Sequence, residues 1–409
     1  MRPKRLSVSL TATLSILAMT VFVTSACAAT GKQLYAFRGG ADGWQPTAGL
    51  ILDASGNLYG TTSGGGANLN GTVFELRHKA GGGWTEKVLH TFNGKDGNAP
   101  YAGLIFDSSG NLYGTTTVGG AYGDGTVFEL MPKAGGGWTE KVLHDFNGKD
   151  GYFPRGGLIF DDSGNLYGTT NIGGVYGVGT VFELMPKTGG GWTETVLHDF
   201  NNNGIDGEGP DAGLIFDGSG NLYGTTTVGG ANLNGTVFEL TPKTRAGWTE
   251  TVLYNFNGAD GSQPVAGLIF DNIGNLYGTT SVGGANLNGM VFELTPNTGG
   301  GWTETVLHNF NFNGTDGAGP QAGLIFDASS NLYGTTALGG VYGDGTVYEL
   351  TPKGGGWTET VLHSFCPLAG CTDGSTPLAG LTKDAAGNLY GTTENGGRYG
   401  LGTVFEFTP

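Results

Sequence analysis

Cysteine and positive charge are both scarce in this sequence. Its 409 residues include 3 Cys and 19 Lys or Arg, against 35 Asp or Glu, and the formal net charge is −16. An excess of acidic groups repels nucleic acid and anionic lipid surfaces. The composition therefore predicts no nucleic-acid partner for this chain.

Catalytic sequence motifs are also missing. The chain contains no Gly-x-Ser-x-Gly nucleophile elbow, no His-Glu-x-x-His zinc motif, no phosphate-binding Walker loop and no Gly-x-Gly-x-x-Gly that opens a helix. Their absence favours a non-enzymatic protein and leaves no residue assigned to catalysis.

The one long apolar run lies at the N-terminus. Three basic residues at the start are followed by a mostly apolar segment up to Val23 and then by small residues. This order is typical of a secretory signal peptide, cleaved near Ala29. Two alternatives are a membrane anchor, for which the segment is barely long enough, and a lipoprotein signal that ends before a lipidated Cys27. We predict residues 1–29 as the signal and residues 30–409 as one exported domain without a membrane span.

Two cysteines remain in the predicted mature chain. Cys366 and Cys371 belong to one short loop that contains Pro and Gly. Because an exported protein meets oxidising conditions, we predict a local disulfide between them. Their spacing is not Cys-x-x-Cys, which disfavours a catalytic redox pair.

A repeat of about 55 residues organises the rest of the chain, and this is the size of a propeller blade. Asn-Leu-Tyr-Gly-Thr-Thr occurs seven times, with copies that begin at Asn57, Asn111, Asn165, Asn221, Asn275, Asn331 and Asn388. Each copy contains four short segments rich in Val, Phe, Tyr, Thr and Trp, bounded by Gly, Pro and Asn, which predicts four β-strands. The 82 glycines fit the many tight turns that such a fold needs.

The two ends of the chain predict how the repeats close. The last copy stops at Pro409 after its third strand, and the missing fourth strand matches residues 32–37. In a ring, this N-terminal strand completes the last blade, whereas in an open β-solenoid both edges would stay unpaired. We therefore predict an all-β fold, a seven-bladed β-propeller of four-stranded blades, with the solenoid as the alternative.

The repeat resembles that of a known family. The unit Gly-Leu-Ile-Phe-Asp-x-Ser-Gly-Asn-Leu-Tyr-Gly-Thr-Thr, with Gly-Gly and Gly-Thr-Val-Phe-Glu-Leu after it, is similar to the Gloeo/Verruco (GloVer) tandem repeat of exported bacterial choice-of-anchor proteins. The resemblance covers essentially the whole predicted mature chain. It implies a secreted, periplasmic or cell-surface location and carries no known activity. Family members often end in a sorting segment, and we expect none here because the repeat runs to Pro409.

Seven internal copies separate repeated residues from variable ones. A residue found in every blade serves a need that all blades share, and that need is folding. We therefore interpret as structural the Glu of each third strand, paired across strands with Thr or Lys, in preference to a ring of metal ligands. The fourth strand has a column of His in which Tyr35 and Tyr254 also occur. This exchange favours packed rings over a metal or catalytic role.

The loop from the fourth strand to the next blade carries a recurring Asp-Gly, followed by Pro. We interpret this Asp as a turn residue. One copy offers an alternative, because Asp199, Asn201, Asn203 and Asp206 resemble the first half of a calcium loop. The closing Glu of such a loop is missing, and Pro210 stands there. Ca²⁺ at these four residues is the only cofactor that we predict.

The residue after that Pro varies most among the blades. It is Thr47, Tyr101, Arg155, Asp211, Val265, Gln321 and Leu378 in turn. Because it enters the innermost strand, we expect its side chain near the mouth of the central channel, where it contributes to a pocket for a sugar or a peptide. The predicted pocket residues are Trp44, Tyr101, Tyr152, Phe153, Arg155, Asp211 and Gln321. The alternative is that these are unconstrained loop residues.

Three functions fit these features. We favour a monomeric binding scaffold of the cell envelope or exterior, with a glycan, peptide or protein ligand at the channel mouth. The second is a lyase or glycan-acting hydrolase on the same face, and the third is a purely structural surface protein. Loss of activity without loss of stability on Arg155→Ala or Asp211→Ala separates the first two from the third.

Overall fold

A computed structural model describes residues 30–243 and 247–409. The signal-peptide and lipidation predictions fall on residues 1–29, outside the described residues. Within the two described ranges, no helix has both the length and the apolar character that a membrane span requires.

Short strands rich in Thr, Val and aromatic residues form seven antiparallel sheets of four strands each. Every sheet runs from a two-residue innermost strand to an outermost strand of seven to nine residues. Each second strand is Leu-Tyr-Gly-Thr-Thr and is buried along its whole length. The predicted seven-bladed β-propeller is confirmed.

The first four blades follow one another along the chain, and each is described from its inner to its outer strand. Blade 1 consists of Ile51–Leu52, Leu58–Thr62, Thr72–His78 and Trp84–Thr91. Blade 2 consists of Ile105–Phe106, Leu112–Thr116, Thr126–Pro132 and Trp138–Asp145. Blade 3 consists of Ile159–Phe160, Leu166–Thr170, Thr180–Pro186 and Trp192–Asp199. Blade 4 consists of Ile215–Phe216, Leu222–Thr226, Thr236–Pro242 and Trp248–Asn255.

The remaining blades include the one that joins both ends of the chain. Blade 5 consists of Ile269–Phe270, Leu276–Thr280, Met290–Pro296 and Trp302–Asn309. Blade 6 consists of Ile325–Phe326, Leu332–Thr336, Thr346–Lys353 and Gly356–Ser364. Blade 7 consists of Thr382–Lys383, Leu389–Thr393, Thr403–Thr408 and, as its outer strand, Thr30–Ala36. Loops add the pairs Gly207–Glu208 with Val228–Gly229 and Gly317–Ala318 with Leu338–Gly339, and the 3₁₀ turn Gly40–Asp42.

Two sets of contacts close the ring, as predicted. The outer strand Thr30–Ala36 pairs antiparallel with Thr403–Thr408. At the inner end, the Thr392 hydroxyl of blade 7 donates to the Ala48 carbonyl of blade 1 at 3.0 Å, which is the same bond that joins most other blades. Closure therefore gives blade 7 its fourth strand and covers the edge of Thr403–Thr408 that would otherwise be unpaired.

The hydrophobic core lies between blades. In one cluster, Tyr59 and Val73 of blade 1 pack with Leu104 and Phe128 of blade 2. Phe92, which follows the outer strand of blade 1, contacts the Phe128 ring edge to face at 5.1 Å. Because each blade buries its apolar faces only against its neighbours, the ring is the unit of stability.

Two repeated acidic residues accept hydrogen bonds within their own blade. Asp53 accepts from the backbone of Ser55 and Asn57 and from the Asn57 amide, as the corresponding Asp does in every blade. The buried Glu75 accepts from the Tyr59 hydroxyl at 2.8 Å, and five other blades repeat this pair. The cross-strand role predicted for this Glu is confirmed: its partner is Tyr in six blades, and in blade 7 Glu406 pairs with Lys32 of the outer strand.

The predicted disulfide between Cys366 and Cys371 is present. It closes the loop between the outer strand of blade 6 and the inner strand of blade 7. Disulfides of this kind persist in oxidising compartments, which is consistent with an exported protein.

Candidate functional site

The loop that enters each inner strand is held by both neighbouring blades. The residue before its Pro has positive φ, including the non-glycine residues Gln45, Ala99 and Phe153. The Phe153 amide donates to Asp124 O of blade 2 at 3.1 Å, and the Phe153 carbonyl accepts from the Asn171 amide of its own blade at 3.2 Å. The same two bonds recur around the ring. A strained backbone persists where its surroundings fix it this firmly, and here it orients the residue after Pro.

The seven residues after Pro converge on one cavity at the channel mouth. The cavity has a volume of about 200 Å³. Its lining consists of Thr47, Tyr101, Arg155, Asp211, Val265, Gln321 and Leu378. The most variable position of the repeat therefore surrounds a single space on the symmetry axis.

One side of this ring of lining residues is charged, because it contains an ion pair. Arg155 Nη1 lies 3.6 Å from Asp211 Oδ1, and the guanidinium lies 5.2 Å from the Tyr101 ring centre and 5.6 Å from that of Phe153. The Arg155 side chain is 40% exposed, whereas that of Asp211 is 16% exposed. Burial raises the pKa of the Asp211 carboxyl, and Arg155 and Thr227 oppose this rise. The polar half is thus a partly neutralised pair with one accessible cation.

The innermost strand of blade 3 is displaced towards blade 4. Around the ring, a Cβ added to the inner-strand glycine would contact the preceding blade, as at Gly103, but at Gly157 it would contact nothing within 4 Å. On the other side, a Cβ on Gly156 would lie 2.5 Å from Ala212 O. The Thr115 hydroxyl of blade 2 is correspondingly left without a partner among the described residues. This local break in symmetry coincides with the Arg155–Asp211 pair.

The aromatic residues predicted for the pocket are not all in it. Trp44 pairs through its backbone with Gly64, and its ring covers Gly64 and Gly65. Tyr152 pairs in the same way with Ile172. Neither ring lines the cavity, and Phe153 takes part only through its contact with Arg155. The backbone of each loop turns at this point, so that only the residue after Pro faces the channel.

A second variable column supports the site and was missed from the sequence. Asp211 Oδ2 accepts from the Thr227 hydroxyl at 3.2 Å, and Asn171, like Thr227, opposes the rise of the pKa of this carboxyl. Both follow the Gly-Thr-Thr of their second strands, a position that carries five different residue types among the seven blades. The same comparison of copies could therefore have found it.

The residues of the predicted calcium loop are engaged in the turn. Asp199 Oδ1 accepts from the Val175 amide at 2.7 Å, and Asn203 Oδ1 accepts from the Asp206 amide at 2.9 Å. Asp206 itself accepts from the backbone of Asn201 and of Gly207. Since Ca²⁺ takes six to eight oxygen ligands, this loop as folded does not fit the ion, and no role is derived for it.

The recurring Asp instead pairs with the His or Tyr side chain that occupies one position of the outer strand in every blade. Asp206 pairs with His198 at 3.1 Å, and Asp260 accepts from the Tyr254 hydroxyl at 2.7 Å. All seven blades contain this pair, with either ring. The predicted turn role of the Asp is confirmed. Five of the seven pairs are hydrogen bonds, and His and Tyr can both make such a bond because both rings supply a polar hydrogen.

Comparisons with known proteins identify a family for this chain. The family described as a Gloeobacter/Verrucomicrobia repeat matches residues 79–268 and 244–409. No curated protein matches the chain. Similar solved structures include a proposed 6-phosphogluconolactonase from Bacteroides uniformis, with 14% identity, TM-score 0.49, and coverage of 77% of this chain and 84% of that chain. Another is a proposed oxidoreductase (glucose dehydrogenase) from Thermus thermophilus, with 15% identity, TM-score 0.45, and coverage of 93% and 100%. At these values neither likeness bears on function.

Proposed function

The chain belongs to the Gloeobacter/Verrucomicrobia repeat family, and on that premise we propose that it is an exported, non-enzymatic binding protein that holds a small polar ligand at its channel mouth. One observation carries this proposal. The repeated polar residues bond within the scaffold, whereas the variable residues meet around one cavity. Variation concentrated at a single concave site is what a binding function on a repeated scaffold needs.

The chemistry of the lining favours a sugar as the ligand. The cavity is small, about 200 Å³, which limits the bound part of a ligand to a group about the size of one sugar ring. Arg155 and Asp211 supply donors and acceptors for hydroxyl groups, and Tyr101 supplies an aromatic surface. Val265 and Leu378 form an apolar part of the same lining. We infer a terminal sugar residue of a glycan, with a peptide end as the alternative.

The lining favours binding over hydrolysis. Glycoside hydrolysis ordinarily uses two carboxyl groups that flank the scissile bond. Among the seven lining residues, Asp211 is the only acid, and none is His, Ser or Cys. The raised pKa of Asp211 is the one feature that suits acid–base chemistry, and its neighbour Arg155 opposes that rise.

The proposal is tested with glycan and peptide arrays on the chain from residue 30 onward, followed by calorimetry of the best ligand. We expect Arg155→Ala and Asp211→Ala to weaken binding about 10- to 100-fold, because a hydrogen bond to a charged group contributes about 1.5–3 kcal/mol. Their melting temperatures should change little.

Arg398→Ala is the matched control. Arg398 also lies beside an aromatic ring, with its guanidinium 5.7 Å from the Tyr399 ring centre, but it does not line the cavity. If none of the three variants changes binding, the channel mouth is excluded as the ligand-binding site. Turnover of an array ligand would favour the lyase or hydrolase alternative.

A further inference from the structure

Six of the seven junctions between blades contain a glutamate with a buried, unpartnered oxygen. The Oε1 atom of each has no hydrogen-bond partner in the described part of the chain. These residues, from the Trp-Thr-Glu of the outer strands, are Glu86, Glu140, Glu194, Glu250, Glu304 and Glu359. Each lies near the His–Asp or Tyr–Asp pair of the preceding blade. At the seventh junction Gly31 lies against His363 instead.

At the junction of blades 1 and 2, three ligand-type atoms converge. His90, Asp96 and Glu140 each offer one atom, and these atoms lie within 4.8 Å of one another. His90 Nε2 is 3.3 Å from Asp96 Oδ2 but makes no hydrogen bond, so that it and Glu140 Oε1 are both buried and unpartnered. Asn93 holds the Asp96 carboxylate with its amide and side chain, and Phe92 packs on the imidazole at 4.8 Å.

The junction of blades 2 and 3 repeats this arrangement. His144, Asp150 and Glu194 form the second group, with His144 Nε2 3.2 Å from Asp150 Oδ2. Here too the ring nitrogen and Glu194 Oε1 are buried without a hydrogen-bond partner among described residues. Asn147 orients the carboxylate, and Phe146 packs on the ring. Outer contacts of this kind fix ligands in metal sites.

The negative charge of these groups when both carboxyl groups are ionised favours a bound cation. Each has two carboxyl groups and one imidazole, and among the ion pairs of described residues none brings Lys or Arg to them. Unpaired buried charges are costly unless a metal or a proton neutralises them. One imidazole nitrogen with two carboxylate oxygens suits Zn²⁺, whereas Ca²⁺ and Mg²⁺ prefer oxygen alone.

We propose that each of these two junctions binds one Zn²⁺ ion and thereby links neighbouring blades. The ligands are His90, Asp96 and Glu140 at one junction, and His144, Asp150 and Glu194 at the other, with water as a fourth ligand at each. The His column was interpreted from the sequence as packing alone. Its third ligand comes from the next blade.

Other junctions of the same molecule serve as internal controls. His198 Nε2 is hydrogen-bonded to Asp206, and Glu250 does not join them in a cluster of three. His308 lies in such a cluster, but its Nε2 is already bonded to both Asp316 oxygens at 3.3 and 3.2 Å. Tyr254 carries no imidazole. We therefore expect Zn²⁺ only at the two junctions where the ring nitrogen, although 3.2–3.3 Å from the Asp carboxylate, makes no hydrogen bond with the described residues.

The test uses the chain from residue 30 onward with a histidine-free tag, stripped with chelator and titrated with ZnCl₂ in a calorimeter. We expect two Zn²⁺ ions per chain, one for each junction described above. His90→Tyr and His144→Tyr should each remove one ion, and the double variant both. Tyr is the matched replacement because Tyr254 makes the same bond to Asp260, so the fold should be kept.

Zn²⁺ should also raise the melting temperature of the wild type and not that of the double variant. Glu140→Gln gives a second route, since it should remove the first ion without touching the His–Asp pair. Equal Zn²⁺ binding by the wild type and the double variant would overturn the proposal, as would no binding by the wild type. A smaller ion count in His308→Tyr would overturn the assignment to these two junctions, and CaCl₂ in place of ZnCl₂ should give no heat.

Discussion

Arg155 reaches Asp211 because the residue after it has no side chain. Gly156 stands where the other six blades have Ala, and a Cβ there would lie 2.5 Å from Ala212 O and 2.6 Å from Thr169 Oγ1. The displaced inner strand, the close approach of blades 3 and 4 and the ion pair are thus one feature. At the residue scale, a glycine and an arginine together give the ring its asymmetry.

Gly156→Ala is therefore expected to destabilise the protein by about 1–3 kcal/mol, because the new methyl group meets a backbone carbonyl. Gly157→Ala is the control, since a Cβ on that neighbouring residue meets nothing within 4 Å. Chemical denaturation of both variants measures the difference. A Gly156→Ala protein as stable as the wild type would mean that blade 3 readily takes the regular position.

A second prediction at this scale concerns Glu304 and pH. Burial, with the nearby Asp260 carboxylate, raises the pKa of Glu304 from 4.5 to about 7. Its Oε1 atom has no partner among the described residues, and the Tyr254 hydroxyl is already bonded to Asp260. Since the folded state holds this proton more tightly than the unfolded state, its stabilising effect is complete below pH 4.5. The effect is lost as pH rises towards 7.

Glu304→Gln should accordingly match the wild type near pH 5 and melt at a higher temperature near pH 8, where wild-type Glu304 is ionised and the amide stays neutral. Differential scanning calorimetry at the two pH values measures this. Lys133→Gln, on an exposed turn of blade 2, controls for a general effect of surface charge. A difference that is the same at both pH values would contradict the raised pKa.

At the scale of the element, the strand Thr30–Ala36 joins the N-terminal part of the described chain to the last blade. It covers Thr403–Thr408, and Phe405 and Phe407 of that strand are 4% and 1% exposed. Lys32 and Gln33 add an ion pair to Glu406 and a hydrogen bond to Thr372 O. Without this strand, blade 7 has three strands and an open edge between two apolar faces.

A chain that begins at residue 37 should therefore aggregate or melt far below a chain that begins at residue 30, since an uncovered strand edge pairs readily with other chains. Size-exclusion chromatography and circular dichroism compare the two. A synthetic peptide of residues 30–36 should partly restore the melting temperature. A monomer that lacks the strand and melts like the longer chain would show that the ring closes through its inner strands alone.

At the scale of the whole molecule, the ring separates stability from recognition. The apolar clusters lie between blades, and the loop that enters each inner strand is bonded to two blades. The residue after Pro takes no part in those bonds except in blades 3 and 4, where Arg155 meets Asp211. The scaffold therefore tolerates seven different side chains at one position, which is the property that the proposed binding function uses.

The sequence by itself determined the number of blades, their four strands and the closure of the ring, because the repeat is regular and its missing strand occurs at the other end. It also located the channel-mouth residues, because a position that varies among internal copies stands out against a fixed scaffold. The disulfide followed from two cysteines in one loop. These features all depend on order along the chain.

Only the tertiary structure decided which side chains face the cavity and what meets across the blades. Trp44 and Tyr152 do not line the channel, although they are close in sequence to residues that do, because a residue of positive φ and a Pro stand between them. The displacement of blade 3 and the groups around Glu140 and Glu194 combine residues from different blades. Contacts of that kind arise from the packing of one repeat on the next, and no periodicity within a single repeat encodes them.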